Sequence, residues 1–187
     1  MTLRQKITQM LMPDFRKWQQ EGQASQSDMT ELNKEVAEAV DKYDFGGVIL
    51  FAENVKGTAQ TLALTQALQQ AAINNQANNG KLPLLLAIDQ EGGIVYRLGS
   101  GTALPGNMAV GATRDPELAN QAGQIIGREL SALGLNVNFA PVFDTNNNPQ
   151  NPVIGLRSFS SDPKVVARLG TAMMEGVQKY NGAVAAK

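Results

Sequence analysis

Apolar residues run without a break from Leu84 to Ile88 and then stop abruptly at Asp89, Gln90, Glu91 and the pair Gly92-Gly93. A run of that length with no polar alternation predicts a strand covered on both faces, as in a parallel sheet wrapped by helices. The two acids then emerge at its carboxyl end, the edge where such folds place ligands. A helix-capping Asp in a solvated turn would produce the same punctuation, so the spacing alone leaves both readings open.

The rest of the chain repeats the alternation. Gly46-Gly47-Val48-Ile49-Leu50-Phe51 predicts an earlier strand, followed by a helix over 58–75 with Leu62, Ala63, Leu64, Leu68 and Ala72 on or beside one face. Asp115-Pro116-Glu117 reads as a helix start, because Asp caps well, Pro tolerates the first helical position and Glu favours the positive end of the dipole. That helix is expected to reach Leu133 and stop at Gly134. A third strand over 136–143 ends at Asp144; Asp162-Pro163 opens a further helix reaching about Tyr180; and 182–186 begins a fourth strand. Residues 2–42 read as a largely helical lead-in, broken near Glu21 to Asp28, with an apolar stripe of Leu3, Ile7, Met10 and Leu11.

Loop length is asymmetric. The connections over 90–114 and 144–161 far exceed the usual two to six residues, whereas the helix-to-strand connections are short. Both long loops lie on the face where the strands terminate, the expected face for function. Alternating strands and helices give either an open doubly wound sheet or a barrel. The fold class expected is therefore α/β, with about four parallel strands and covering helices forming the amino-terminal half of a (β/α)8 barrel. Eight such units need about 250 residues, so the 187 residues read as one partial barrel domain over 1–187, with 1–42 as its lead-in. A half barrel leaves its first and fourth strands as apolar edges, and from this a homodimer through exposed strand edges is expected.

Composition removes several chemistries. With 16 Lys+Arg against 17 Asp+Glu, the net charge of -1 gives no case for a nucleic-acid partner. No apolar run is long enough to span a membrane, and the first residues lack the basic start and apolar core of a secretion signal. The compartment stays unassigned. The absence of cysteine excludes disulfides and thiolate metal sites, and the absence of histidine removes the commonest general base and zinc ligand. No metal and no cofactor is expected.

The second long loop offers two motifs for inspection. Asp144, Asn146 and Asn148 match the alternate ligands that open a calcium loop, but Pro149 and Gly155 stand where that loop needs Gly and Glu, so the match fails. Arg157 sits between strand and helix, where its planar fork suits hydroxyl or carboxylate oxygens; a salt bridge to Asp144 or Glu91 is the plainer reading. The glycines at 92, 93, 99, 101, 106 and 111 fit no phosphate-loop or dinucleotide spacing.

Taken together, Ile88-Asp89-Gln90-Glu91-Gly92-Gly93, Arg97-Leu98, Leu104-Pro105-Gly106-Asn107-Met108-Ala109, Asn138-Phe139-Ala140-Pro141-Val142-Phe143-Asp144 and Arg157-Ser158-Phe159-Ser160-Ser161-Asp162 resemble the amino-terminal domain of family 3 glycoside hydrolases. Met10-Leu11-Met12-Pro13-Asp14-Phe15-Arg16 and 45–51 resemble its bacterial β-N-acetylglucosaminidases. Ile94 departs from the pattern, standing where many members have arginine. The resemblance implies a retaining hydrolase that releases terminal, non-reducing β-linked N-acetylglucosamine from peptidoglycan fragments or chitin oligomers, through a carboxylate nucleophile and an acid/base. In that branch the nucleophile is an aspartate and the acid/base a histidine, both later than Lys187, so no catalytic residue is expected in this chain.

Carried over residue by residue, the resemblance implies that Asp89 accepts from the sugar's outer hydroxyls and that Arg97, Arg157 and Lys187 donate around the same ring. Glu91 is expected to fix Arg97 or a loop amide, and Asp144 to support the site from behind. A non-catalytic sugar- or partner-binding protein of the same fold, or a β-glucosidase of the same family, are the alternative readings.

Overall fold

A computed structural model describes residues 1–19, 22, 24–73 and 82–187. The elements in chain order are α1 (Leu3–Thr8), β1 (Lys17–Trp18), β2 (Ser27–Asp28), α2 (Lys34–Tyr43), β3 (Gly47–Leu50), α3 (Thr58–Ile73), β4 (Leu85–Ile88), α4 (Asn107–Thr113), α5 (Pro116–Ala132), β5 (Val137–Asn138), a 3-10 turn (Gly155–Arg157), α6 (Pro163–Gln178) and β6 (Ala183–Val184). The last two residues expected of the helix over 58–75, and Glu21 in the expected break, lie outside the described residues.

Four parallel strands form one sheet in the order β3-β4-β5-β6, so each new strand is added beside the one before it. A doubly wound sheet reverses direction at a switch point; a barrel winds one way. The order decides between the two architectures that alternation leaves open. Gly47 to Leu50 pair in register with Leu85 to Ile88, and Ala87 and Ile88 with Val137 and Asn138.

The helix starts follow from their caps. Asp115 Oδ1 accepts from the Glu117 N–H at 2.8 Å and Asp162 Oδ1 from the Lys164 N–H at 2.9 Å, each just before a proline that lacks the donor a first helical turn cannot use. Helices α5 and α6 then pack closely because glycines line the contact: a Cβ on Gly123 would sit 2.1 Å from the Met173 carbonyl oxygen. One core lies between the sheet and α2, α3 and the inner face of α5, centred on Val48, Leu50, Leu64, Leu68, Leu86 and Ile88. A second joins α4, α5 and α6 around Phe159 and Leu169.

Three expectations are corrected. The lead-in is not mostly helical: α1 lasts six residues, and the chain then turns past Pro13 into the antiparallel pair β1-β2. The third strand pairs regularly only at Val137–Asn138. Beyond it Ala185 donates to the Asn138 oxygen but Lys187 to the Pro141 oxygen, so one extra residue is looped into the 138–141 side, where Pro141 has no N–H to give. And the outer edge of β3 is not open. Asp14 bridges Ile49 in parallel, with the Ile49 N–H donating to the Pro13 oxygen at 3.1 Å. Of the two edges expected to be free, only that of β6 lacks a neighbouring strand among the described residues.

Among the described residues no helix is long and apolar enough to cross a membrane.

Candidate functional site

The carboxyl end of β4 is built by asparagines. Asn136 Oδ1 accepts from the Leu86 N–H at 2.8 Å while its Nδ2 donates to the Leu84 oxygen at 3.1 Å. Two residues on, Asn138 does the same for Gln90, both bonds 3.0 Å. The spacing of two puts both amides on the same face of the strand, and each satisfies a buried main-chain N–H and C=O that would otherwise go unpaired. Gln90 passes the constraint on, its Oε1 accepting from the Arg97 N–H at 2.8 Å.

Asp89 and Glu91 leave this scaffold as neighbours on the strand-end face. Arg157 closes on Glu91 through two parallel bonds, Nε to Oε2 at 2.9 Å and Nη2 to Oε1 at 2.8 Å. Such paired geometry is specific to a guanidinium on a carboxylate. Lys187 Nζ donates to Asp89 Oδ1 at 2.5 Å and to Glu91 Oε1 at 3.3 Å. The four charges cancel, which makes it tolerable for Glu91 to be only 2% exposed. The Glu91 hydrogen bond raises the Arg157 guanidinium above the ordinary arginine value against the opposing effect of burial, with the charges of Glu91, Asp89 and Asp144 adding to it.

Lys187 is aimed by its backbone: its N–H donates to the Pro141 oxygen and its carbonyl accepts from the Phe143 N–H. Arg157 is aimed from the other side. Asn107 Nδ2 donates to its carbonyl at 2.8 Å, and Ser158 Oγ donates to the Asp144 carbonyl at 2.6 Å, tying the loop over 144–158 across its base.

The structure thus brings Asp89, Glu91, Arg157 and Lys187 into one ion-paired group. Arg97 stands at the same edge but elsewhere, its guanidinium 5.9 Å from the centre of the Phe51 ring, with Arg16 stacked on that ring at 3.5 Å. The expectation that Glu91 fixes Arg97 is overturned: its carboxylate holds Arg157 and Lys187, while Arg97 is tethered through its own N–H to Gln90. Asp144 is exposed and contributes charge and a main-chain acceptor. Sequence reading missed Asn138, Gln90 and Asn107. Two asparagines two apart inside an apolar strand pattern were the available signal.

Beside the Glu91–Arg157 pair lies a cleft of about 300 Å³ walled by Gly93, Ile94, Pro105, Met108 and Leu156. Its back is a close approach of two loops. Gly93 and Gly106 both have positive φ, and a Cβ on either would come within 3.0 Å of the other's Cα. Among the described residues no group of three or more His, Cys, Asp or Glu is placed to hold a metal ion.

Comparison with known proteins adds three findings. The family described as glycosyl hydrolase family 3 N terminal domain matches residues 2–187. Beta-hexosaminidase A of Pseudoalteromonas piscicida is 46% identical over 187 residues, covering 95% of this chain and 31% of that protein. A glycoside hydrolase family 3 beta-N-acetylglucosaminidase from Paenibacillus sp. str. FPU-7 superposes with a TM-score of 0.88 at 43% identity, covering 100% of this chain and 33% of that one. NagZ from Neisseria gonorrhoeae, solved in complex with N-trifluoroacetyl-D-glucosamine, superposes with a TM-score of 0.78 at 29% identity, over 95% of this chain and 49% of that one. The chain spans about a third of the length of the first of these relatives.

Proposed function

The chain belongs to the family 3 glycoside hydrolases through their N-terminal domain, and from that membership we propose that the protein carrying it releases terminal β-linked N-acetylglucosamine from chitin oligosaccharides or peptidoglycan fragments. Residues 1–187 form one partial barrel domain of it, and their task is to hold the sugar. Asp89 accepts from the outer hydroxyls, a carboxylate being able to take two donors in one plane. Lys187 and Arg157 donate to the ring from either side, and Arg97 donates from the Phe51 side. Glu91 does not touch sugar; it fixes the direction of Arg157 and Lys187. Asp144 supports Arg157 by charge.

The observation that carries this reading is the Lys187–Asp89 contact of 2.5 Å at the carboxyl end of β4. It joins a donor and an acceptor at the edge where barrel enzymes bind ligands, on side chains whose directions the main chain sets. Bond cleavage is assigned to other parts of the protein, since the resemblance calls for an aspartate and a histidine and this sequence has no histidine.

Chromogenic N-acetyl-β-glucosaminide and β-glucoside offered to the complete protein test the proposal. Cleavage of the first well above the second supports it. The reverse order makes the protein a β-glucosidase, and cleavage of neither makes it a binding protein. The open edge of β6 is also the place where two copies of this chain would pair.

A further inference from the structure

The cleft beside the Glu91–Arg157 pair has a composition unlike that of the ion-paired group it adjoins. Its walls are Gly93, Ile94, Pro105, Met108 and Leu156, and the two large apolar side chains at its mouth, Ile94 and Leu156, are 65% and 58% exposed. The only formal charges on its lining are those of Glu91 and Arg157, which are spent on each other. Lys187 adds a cation to Glu91, and Asp89 cancels it. The cleft is therefore electrically neutral, with no spare donor fork for a carboxylate. Its volume of about 300 Å³ lies at the lower end of ligand-site sizes, enough for one compact substrate unit.

Resting on the proposed function, we infer that this cleft is the leaving-group subsite and that it selects an uncharged N-acetylated sugar over one bearing a carboxylate. An enzyme that removes a terminal sugar has no substrate beyond that sugar's outer hydroxyls. With Asp89 and Lys187 on those hydroxyls, the part of the substrate that extends past Arg157 is the leaving group. Ile94 and Leu156 cover the C–H faces of that unit. A carboxylate placed there loses water and gains no cation, because taking Arg157 from Glu91 strands a buried acid.

The test measures kcat/KM of the complete protein on N,N′-diacetylchitobiose, on the same disaccharide with a lactyl ether carboxylate on its reducing sugar, and on the uncharged amide of that ether. The expected order is chitobiose and amide close together, with the carboxylate poorer by roughly fivefold, the scale of one partly exposed charge. Ile94→Arg is expected to bring the carboxylate level with the amide. Leu156→Lys on the opposite wall gives a second reading of the same shift should the first variant fail to fold. Equal rates on carboxylate and amide, or variants that leave their ratio unchanged, overturn the inference while the proposed function stands. Failure to cleave the simple chromogenic N-acetylglucosaminide overturns both.

Discussion

Arg157 and Glu91, 66 residues apart in the chain, meet through two parallel hydrogen bonds of 2.9 and 2.8 Å, with the acid almost wholly buried. The pair joins the loop after β4 to the loop before α6. Glu91 also touches Lys187, so one carboxylate sets the direction of two cations. Removing it leaves both cations crowded without their shared acceptor. Glu91→Gln is expected to lower the stability of the fold by roughly 3 kcal/mol, the scale of breaking a buried pair from one side. Urea unfolding monitored by circular dichroism reads this out; a change within error would mean that the pair is replaceable by water.

Asn138→Ala removes two bonds to Gln90 at once and leaves a buried N–H and C=O without partners. A loss of about 2 kcal/mol is expected. Asn138→Asp keeps an acceptor but loses the donor and adds a buried charge, so it should fare no better. Thermal melts of the two variants side by side check the order.

How far the sequence reached depends on how local each cause is. The strand ending at Asp89 was legible because burial on both faces writes itself as an unbroken apolar run, and the helices at Pro116 and Pro163 because an Asp cap and a following Pro act within three residues. Helix α4 was not legible. It begins at Gly106 in a positive-φ conformation with no side-chain cap, so nothing at its start resembles a helix start. The grouping of Asp89, Arg157 and Lys187 at one edge followed from loop length and barrel logic. The choice of Glu91 for Arg157 over Arg97 did not, because it depends on where a loop 66 residues away is tied down by Asn107 and Ser158.

Gly123→Ala places a methyl carbon against the Met173 carbonyl oxygen, a contact of 2.1 Å that only separation of α5 from α6 can relieve. Destabilisation of about 2 kcal/mol is expected. Gly57→Ala, which meets nothing within 4 Å, serves as the control. Comparing their melting temperatures separates crowding from any general effect of replacing glycine.

Asp89→Asn in the complete protein keeps the side chain's size and removes its charge. The loss should exceed tenfold in kcat/KM, as for a hydrogen bond to a charged group, at about 1.5–3 kcal/mol. It should fall on kcat as well as KM, because grip on remote hydroxyls holds the ring in its reactive shape. Unchanged steady-state constants would remove Asp89 from the sugar site.

The 187-residue chain by itself is expected to release no N-acetylglucosamine from a chromogenic substrate, since its two buried site carboxylates are committed to cations and it has no histidine. Sedimentation of the same sample examines the open β6 edge. Pairing is expected there and not at β3, where residues 13 and 14 lie alongside Ile49. A stable monomer would show that an exposed edge of this length does not recruit a second copy.

The strand order also carries a consequence for how the molecule comes into being. Because β3, β4, β5 and β6 lie side by side in the order in which a ribosome makes them, each strand emerges to find its neighbour already in place. The scaffold can grow as a ratchet, one crossover at a time. The charges cannot follow that schedule: Asp89 waits 98 residues for Lys187. Until then the growing chain carries two acids at a sheet end with their partners still unmade. The binding edge is the last part of this architecture to acquire its electrostatic balance, well after the layers beneath it are packed.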